Sequence, residues 1–237
     1  ISHPIVFYFN SILWAERFFK AEKAILRFWH KHEAFQYLLF LLPAVPFLFL
    51  LRRRGKSVYH GLAYLGGFSG ITLQMSLLVI YQSYLGNIYS HIGLLIGLFM
   101  VGLSLGSYLP YCIGRKTVKR KAWLFLAMVL GLLIILGFSL AADEDLLLNM
   151  KHVLILVSSL LAGGFSGFLF SFAAVGYKYR FDDEKPGIFY LSDLIGSSLA
   201  GISVSVLFIP LMGIGSVVIL LIILLIVYMI FHGLVLN

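Results

Sequence analysis

The chain has 237 residues, 61% of them hydrophobic, with a formal net charge of +8 and a mean hydropathy of +0.99. A soluble domain is about half apolar, and one aqueous core cannot absorb this much oily surface, which excludes a soluble globular fold. The basic excess lies in short stretches between apolar runs, which excludes a nucleic-acid face, and the single cysteine, Cys112, excludes an intrachain disulfide or a thiolate metal cluster.

Residues 1–34 lack the apolar core and small-residue cleavage site of a secretory signal. Trp14, Phe18, Ala21, Ile25 and Phe28 recur there at steps of three and four, with Arg17, Lys20, Lys23 and Lys31 between them. That pattern predicts an amphipathic helix in the headgroup plane, serving as an interfacial collar or as a docking surface for another subunit. From residue 35 to 237 the apolar runs have the length that crosses about 30 Å of hydrocarbon. The expected fold is therefore an all-α integral membrane protein with an N-terminal interfacial segment at 1–34 and a polytopic domain at 35–237. Seven transmembrane helices are predicted, at 35–51, 61–85, 88–111, 122–141, 153–177, 187–210 and 213–233. The first is short and carries Pro43 and Pro46, so it is expected to kink and is compatible with a re-entrant segment.

Alternate loops divide the basic residues unevenly. Arg52, Arg53, Arg54, Lys56, Arg115, Lys116, Lys119, Arg120, Lys121, Lys178, Arg180 and Lys185 fall on one side, against Lys151 beside Asp143, Glu144 and Asp145 on the other. The positive-inside rule then puts the C-terminus in the cytoplasm and the N-terminus outside.

The sequence also matches itself. Gly66-Gly67-Phe68-Ser69-Gly70 opens the second predicted helix, and Gly163-Gly164-Phe165-Ser166-Gly167 recurs in the fifth. Each copy precedes a glycine-rich helix ending in proline, Tyr89 to Pro110 and Tyr190 to Pro210, and then a plain aliphatic run. Two copies of a three-helix unit enter the membrane from opposite sides, so the expectation is an inverted three-plus-three repeat, an arrangement of transporter folds.

Residues 67–109, GFSGITLQMSLLVIYQSYLGNIYSHIGLLIGLFMVGLSLGSYL, and 190–213, YLSDLIGSSLAGISVSVLFIPLMG, carry a resemblance to a known family. Together they resemble the membrane region of bacterial spermidine synthase-like membrane proteins of the fused facilitator type, over roughly residues 60–235. The resemblance implies a bacterial inner-membrane location. It also implies a glutamate near Gln74 and an alanine-rich motif around Tyr190, Asp193 and Gly196; Gln74 departs from that pattern. The family's aminopropyltransferase-like half needs a Rossmann sheet, and no strand followed by G-x-G-x-x-G occurs in this sequence.

Asp193 is the only acidic residue inside a predicted span, and a charged carboxylate in hydrocarbon must face protein or water and find a partner. It is a candidate for binding a cation or proton, or for a structural ion pair. Gln74 and Gln82 are candidates for interhelical hydrogen bonds or for lining a polar pathway. Gly93 with Gly97, Gly102 with Gly106, and Gly196 with Gly201 predict close helix packing, with the third and sixth predicted helices as the tight centre. His91 and His152 share the outer side and are weak candidates for haem ligands. No metal spacing or catalytic triad spacing appears, so no catalytic residue and no cofactor is expected. The leading expectation is a non-catalytic membrane subunit or anchor of a larger complex, in contact with the lipid bilayer and a protein partner. The alternatives are a small-molecule or ion transporter and a haem- or quinone-linked electron-transfer subunit.

Overall fold

The computed structural model describes residues 56–85, 89–113, 131, 148–181 and 186–235, all of them helical. The amphipathic helix predicted within 1–34, the span at 35–51, the span at 122–141 apart from Gly131, and most of the charged loops lie outside the described residues. The elements are α1 (Lys56–Leu85), α2 (Tyr89–Ile113), α3 (Leu148–Phe181), α4 (Pro186–Ser203), a single π turn (Val204–Phe208) and α5 (Ile209–Val235). Helix is the form these runs take because it satisfies every backbone donor and acceptor within the segment, where lipid offers none.

Among the described residues four helical stretches are long and apolar enough to cross a membrane, not seven: Tyr59–Ser83, His91–Cys112, Met150–Lys178 and Gly187–Ile226. The chain is thus a multi-pass membrane protein by helix length and hydropathy. Two of the seven predicted spans fall outside the described residues, and the last two, predicted separately, form one stretch. That stretch is interrupted twice. Pro210 has no N–H to give the carbonyl one turn back, and just before it the ladder widens, with Ile209 N–H bonding the Val204 carbonyl. Gly213 then leaves helical geometry at φ 78° and ψ 167°, a region open essentially to glycine alone.

Two further expectations are corrected. Pro110 does not end α2, which continues to Ile113. Lys151 was expected in an outer loop, but α3 begins at Leu148 and the lysine is only 4% exposed.

Contacts fix the helix directions. Going along α1, Tyr59 meets Tyr177, Gly70 meets Ser166, Gln74 meets Ser159 and Tyr81 meets His152, so α1 and α3 are antiparallel. Along α2, His91 meets His152 and Gly102 meets Leu160, so α2 runs parallel to α3. Along α1 again, His60 meets Ser192 and Gly67 meets Ser197, so α4 runs parallel to α1.

Both parallel pairs are closed by glycine. A Cβ added at Gly102 or Gly106 would overlap the carbonyls of Leu160 or Gly164, and one at Gly163 or Gly167 would overlap those of Phe99 or Leu103. In the other pair a Cβ at Gly67 would overlap the Asp193 carbonyl, and one at Gly196 the Tyr64 carbonyl. Glycine hydrogens aimed at facing carbonyls are Cα–H···O contacts, worth about 0.5–1 kcal/mol each, and they need backbones closer than any side chain permits.

α1 is the most enclosed of the four stretches and α2 the most open. Tyr64, Phe68, Leu77 and Tyr81 of α1 are fully buried, together with Phe208 of the π turn. Leu105, Tyr108, Ile188, Tyr190, Ile202 and Ile219 are exposed, as a lipid-facing surface requires.

Candidate functional site

The polar groups of this bundle lie along α1, and four places carry chemistry. At the first, the two sequence-repeat motifs meet. Ser166 Oγ of the second copy donates to the Gly66 carbonyl of the first at 2.9 Å, and Ser69 Oγ donates to the same carbonyl at 3.2 Å. Gly70 lies so close to Ser166 that a side chain there would overlap its hydroxyl. Gly66 and Gly70 therefore face α3 while Gly67 faces α4; in the second copy Gly163, Gly164 and Gly167 all face α2.

The second place is a three-helix junction. Gln74 of α1 is 5% exposed, and Ser159 of α3 lies 3.0 Å from its Oε1 and 2.8 Å from the Leu95 carbonyl of α2. A serine hydroxyl has one proton and cannot serve both acceptors. Gln74 Nε2 has no hydrogen-bond partner among the described residues. A buried amide with unmet capacity costs about 1–3 kcal/mol, so this junction is under-satisfied within the chain. The neighbouring Thr72 and Ser76 spend their hydroxyls on their own helix, bonding the carbonyls of Phe68 and Thr72 at 2.6 and 2.8 Å.

The third and fourth places close the two ends of the α1/α3 pair. At one end Tyr81, His152 and His91 form a triangle with ring centroids 5.6, 5.1 and 5.9 Å apart. Tyr81 Oη lies 3.2 Å from His152 Nδ1, while His91 Nδ1 is buried without a partner. At the other end Tyr177, His60 and Phe189 form a matching triangle at 5.3, 5.5 and 5.9 Å. There His60 Nδ1 lies 3.2 Å from Ser192 Oγ, and because Ser192 donates to the Ile188 carbonyl, the imidazole is the donor to Ser192.

Asp193 follows Ser192 and is half-buried on α4 where that helix crosses Gly67. The Gly67 Cβ position lies 2.7 Å from Asp193 Oδ1 and 2.6 Å from Ser197 Oγ. Asp193 has no hydrogen-bond or ion-pair partner among the described residues.

The remaining predicted positions divide. Gln82 is exposed near the end of α1. Gly93 and Gly97 are exposed on α2, and among the described residues nothing lies within 4 Å of a Cβ at either. Gly201 has only the Ile71 side chain at 4.0 Å, whereas Gly196 is in backbone contact. α2 and α4, expected as the joint centre, pack instead on α3 and α1 respectively. His91 and His152 come together, but rings in direct contact leave no room for a porphyrin between them. Among the described residues no three His, Cys, Asp or Glu side chains gather as a metal site would need.

Sequence reasoning placed His60 at a helix end without a role and missed Tyr177, Phe189 and Ser159. One signal was present for His60 and Tyr177: α1 carries His60 near its start and Tyr81 near its end, and α3 carries His152 near its start and Tyr177 near its end. An antiparallel pair brings each histidine to the other helix's tyrosine.

No family model, curated protein or solved structure matches the chain. Geometry and sequence are what its function is read from.

Proposed function

We propose that the chain is a non-catalytic integral membrane module that anchors or assembles a larger complex, in the manner of the membrane region of spermidine synthase-like proteins. The observation that carries this reading is the glycine packing. Six glycines bring two parallel helix pairs into backbone contact, which suits a rigid support more than a moving gate. The reading includes a bacterial inner-membrane location with the C-terminus cytoplasmic and an inverted three-plus-three repeat. Support for the repeat comes from the contacts: exchanging α1 with α3 and α2 with α4 turns the α1/α4 pair into the α3/α2 pair. The two aromatic triangles exchange in the same way. The 40-residue stretch Gly187–Ile226 would measure about 60 Å as straight helix, twice the hydrocarbon thickness, with its break at Gly213.

The test is native-membrane extraction into lipid nanodiscs without detergent, followed by mass measurement of the intact particle. An anchor module is expected in fixed stoichiometry with a second polypeptide; particles holding this chain alone would overturn the reading.

A second reading, a small-molecule or ion carrier, is favoured by one observation: among the described residues Gln74 leaves a buried amide nitrogen unpartnered on α1. A carrier loses uptake in proteoliposomes on Asp193→Asn, while an anchor keeps assembling.

A further inference from the structure

We propose that Tyr81, His91 and His152 form a binding site for a divalent transition metal of the zinc class, at the end of the bundle where α1 finishes and α2 and α3 begin. The three side chains come from three helices and close a triangle of rings. Tyr81 Oη lies 3.2 Å from His152 Nδ1, and His91 Nδ1 is buried with no hydrogen-bond partner among the described residues.

Packing alone does not require the second imidazole. Exchanging α1 with α3 and α2 with α4 carries Tyr81 to Tyr177, His152 to His60 and His91 to Phe189. At that opposite end a phenyl ring fills the third corner, and the histidine nitrogen is met by Ser192. At the Tyr81 end an imidazole stands in place of the phenyl, and its buried nitrogen gains nothing from the chain unless a ligand meets it.

Donor type and spacing select that ligand. Imidazole nitrogens suit zinc and its neighbours in the first transition row, and the phenol oxygen supplies the third donor that two histidines lack. A tetrahedral ion bound at about 2.0–2.1 Å holds neighbouring donor atoms about 3.3 Å apart and two imidazole ring centres about 5 Å apart. Tyr81 Oη and His152 Nδ1 are 3.2 Å apart, and the rings of His91 and His152 are 5.1 Å apart. Tyr81 lies two residues before the end of Tyr59–Ser83, His91 begins His91–Cys112, and His152 lies two residues into Met150–Lys178. All three therefore stand within a turn of the aqueous boundary, where an ion can enter and water can fill a fourth position.

One fixed charge stands nearby. Lys151 precedes His152 and is buried, while no Asp, Glu, Lys or Arg occurs between residues 57 and 114 or after Asp193, so α2, α5 and this end of α1 bring none. The acids Asp143, Glu144 and Asp145 precede α3 outside the described residues. Coordination offsets the added positive charge by releasing the Tyr81 phenol proton to water: an O–metal bond replaces the O–H bond, and no electrons are transferred. The proposal goes beyond the anchor reading and stands whether the module anchors or carries.

The experiment is a cobalt(II) titration of the full chain, purified without a histidine tag and held in lipid nanodiscs, with cobalt as the coloured substitute for zinc. The expected result is the intense visible absorption of four-coordinate cobalt, saturating at one equivalent and bleached by one equivalent of zinc. His91→Phe, which copies the Phe189 corner, and His152→Phe are expected to lose the bands, Tyr81→Phe to bind at least tenfold more weakly, and His60→Phe to titrate as the native protein does. Absence of four-coordinate bands in the native protein overturns the proposal, whatever the variants do. Bands that survive in both His91→Phe and His152→Phe overturn it as an adventitious ion only, and a native titration in Tyr81→Phe overturns the three-donor site.

Discussion

The α2/α3 and α1/α4 pairs are both parallel and both bring glycine hydrogens against facing carbonyls, but they differ in what stands beside the contact. In α2/α3 four glycines from both helices, Gly102, Gly106, Gly163 and Gly167, interlock over two turns. In α1/α4 only Gly67 and Gly196 do so, and Asp193 and Ser197 sit within reach of the crossing. The same backbone geometry thus serves as a redundant clamp in one pair and as the enclosure of a carboxyl group in the other. Close approach is set by glycine; chemistry is set by the few polar residues placed next to it.

Substitutions at the crossings sharpen that contrast, and the largest effect is expected in the interlocked pair. Gly102→Ala forces a methyl into the Leu160 carbonyl and the Gly164 backbone, which cannot yield separately. It is expected to cost about 3 kcal/mol in a reversible unfolding titration, at the upper end of overpacking penalties. Gly67→Ala meets the movable Asp193 and Ser197 side chains as well as one carbonyl, and about 2 kcal/mol is expected. Gly97→Ala, on the open face of α2, provides the comparison: it should be neutral or stabilising by about 0.5–1 kcal/mol through helix propensity. Equal losses at positions 97 and 102 would mean that α2 does not turn these faces as described.

The polar junction should respond less, and unequally. Ser159→Ala strips the Gln74 amide of the one group it meets and is expected to cost about 1–2 kcal/mol. Gln74→Leu removes a side chain that is already under-satisfied, so its cost should stay below about 1 kcal/mol in the same titration. A larger loss for Gln74→Leu than for Ser159→Ala would show that something else occupies the free amide. Smallest of all is His91→Phe. The opposite triangle already packs with Phe189 in the corresponding place, so a change in thermal midpoint within the range of ordinary surface substitutions, about 0.5 kcal/mol, is expected.

The helical membrane class and the positions of the four described stretches were legible in the sequence because membrane crossing is a matter of run length, which survives without any tertiary information. The pairing of glycines was not. Gly93-x-x-x-Gly97 and Gly102-x-x-x-Gly106 read alike, yet among the described residues only the second meets another helix, because which face of α2 packs depends on α3. The exposure of Gln82 has the same origin: a polar residue near a helix end faces outward or inward by register alone. Gln74 and Asp193 stood out in sequence as polar residues in apolar runs, but the unpartnered Gln74 amide nitrogen among the described residues is a property of the packed bundle. The aromatic triangles lie furthest from sequence, since each draws on three helices or helix ends far apart in the chain.

The account rests on the antiparallel crossing of α1 and α3 at which the two repeated motifs meet, and one cross-link tests it. A Cβ at Gly66 lies 3.5 Å from that of Leu169, within the range a disulfide spans. With Cys112→Ser as background, Gly66→Cys with Leu169→Cys is expected to oxidise to an intrachain disulfide in native membranes, while Gly93→Cys with Leu169→Cys, whose first partner faces nothing, is expected to stay reduced. A disulfide in the second pair and none in the first would contradict the crossing, and with it the arrangement of both parallel pairs.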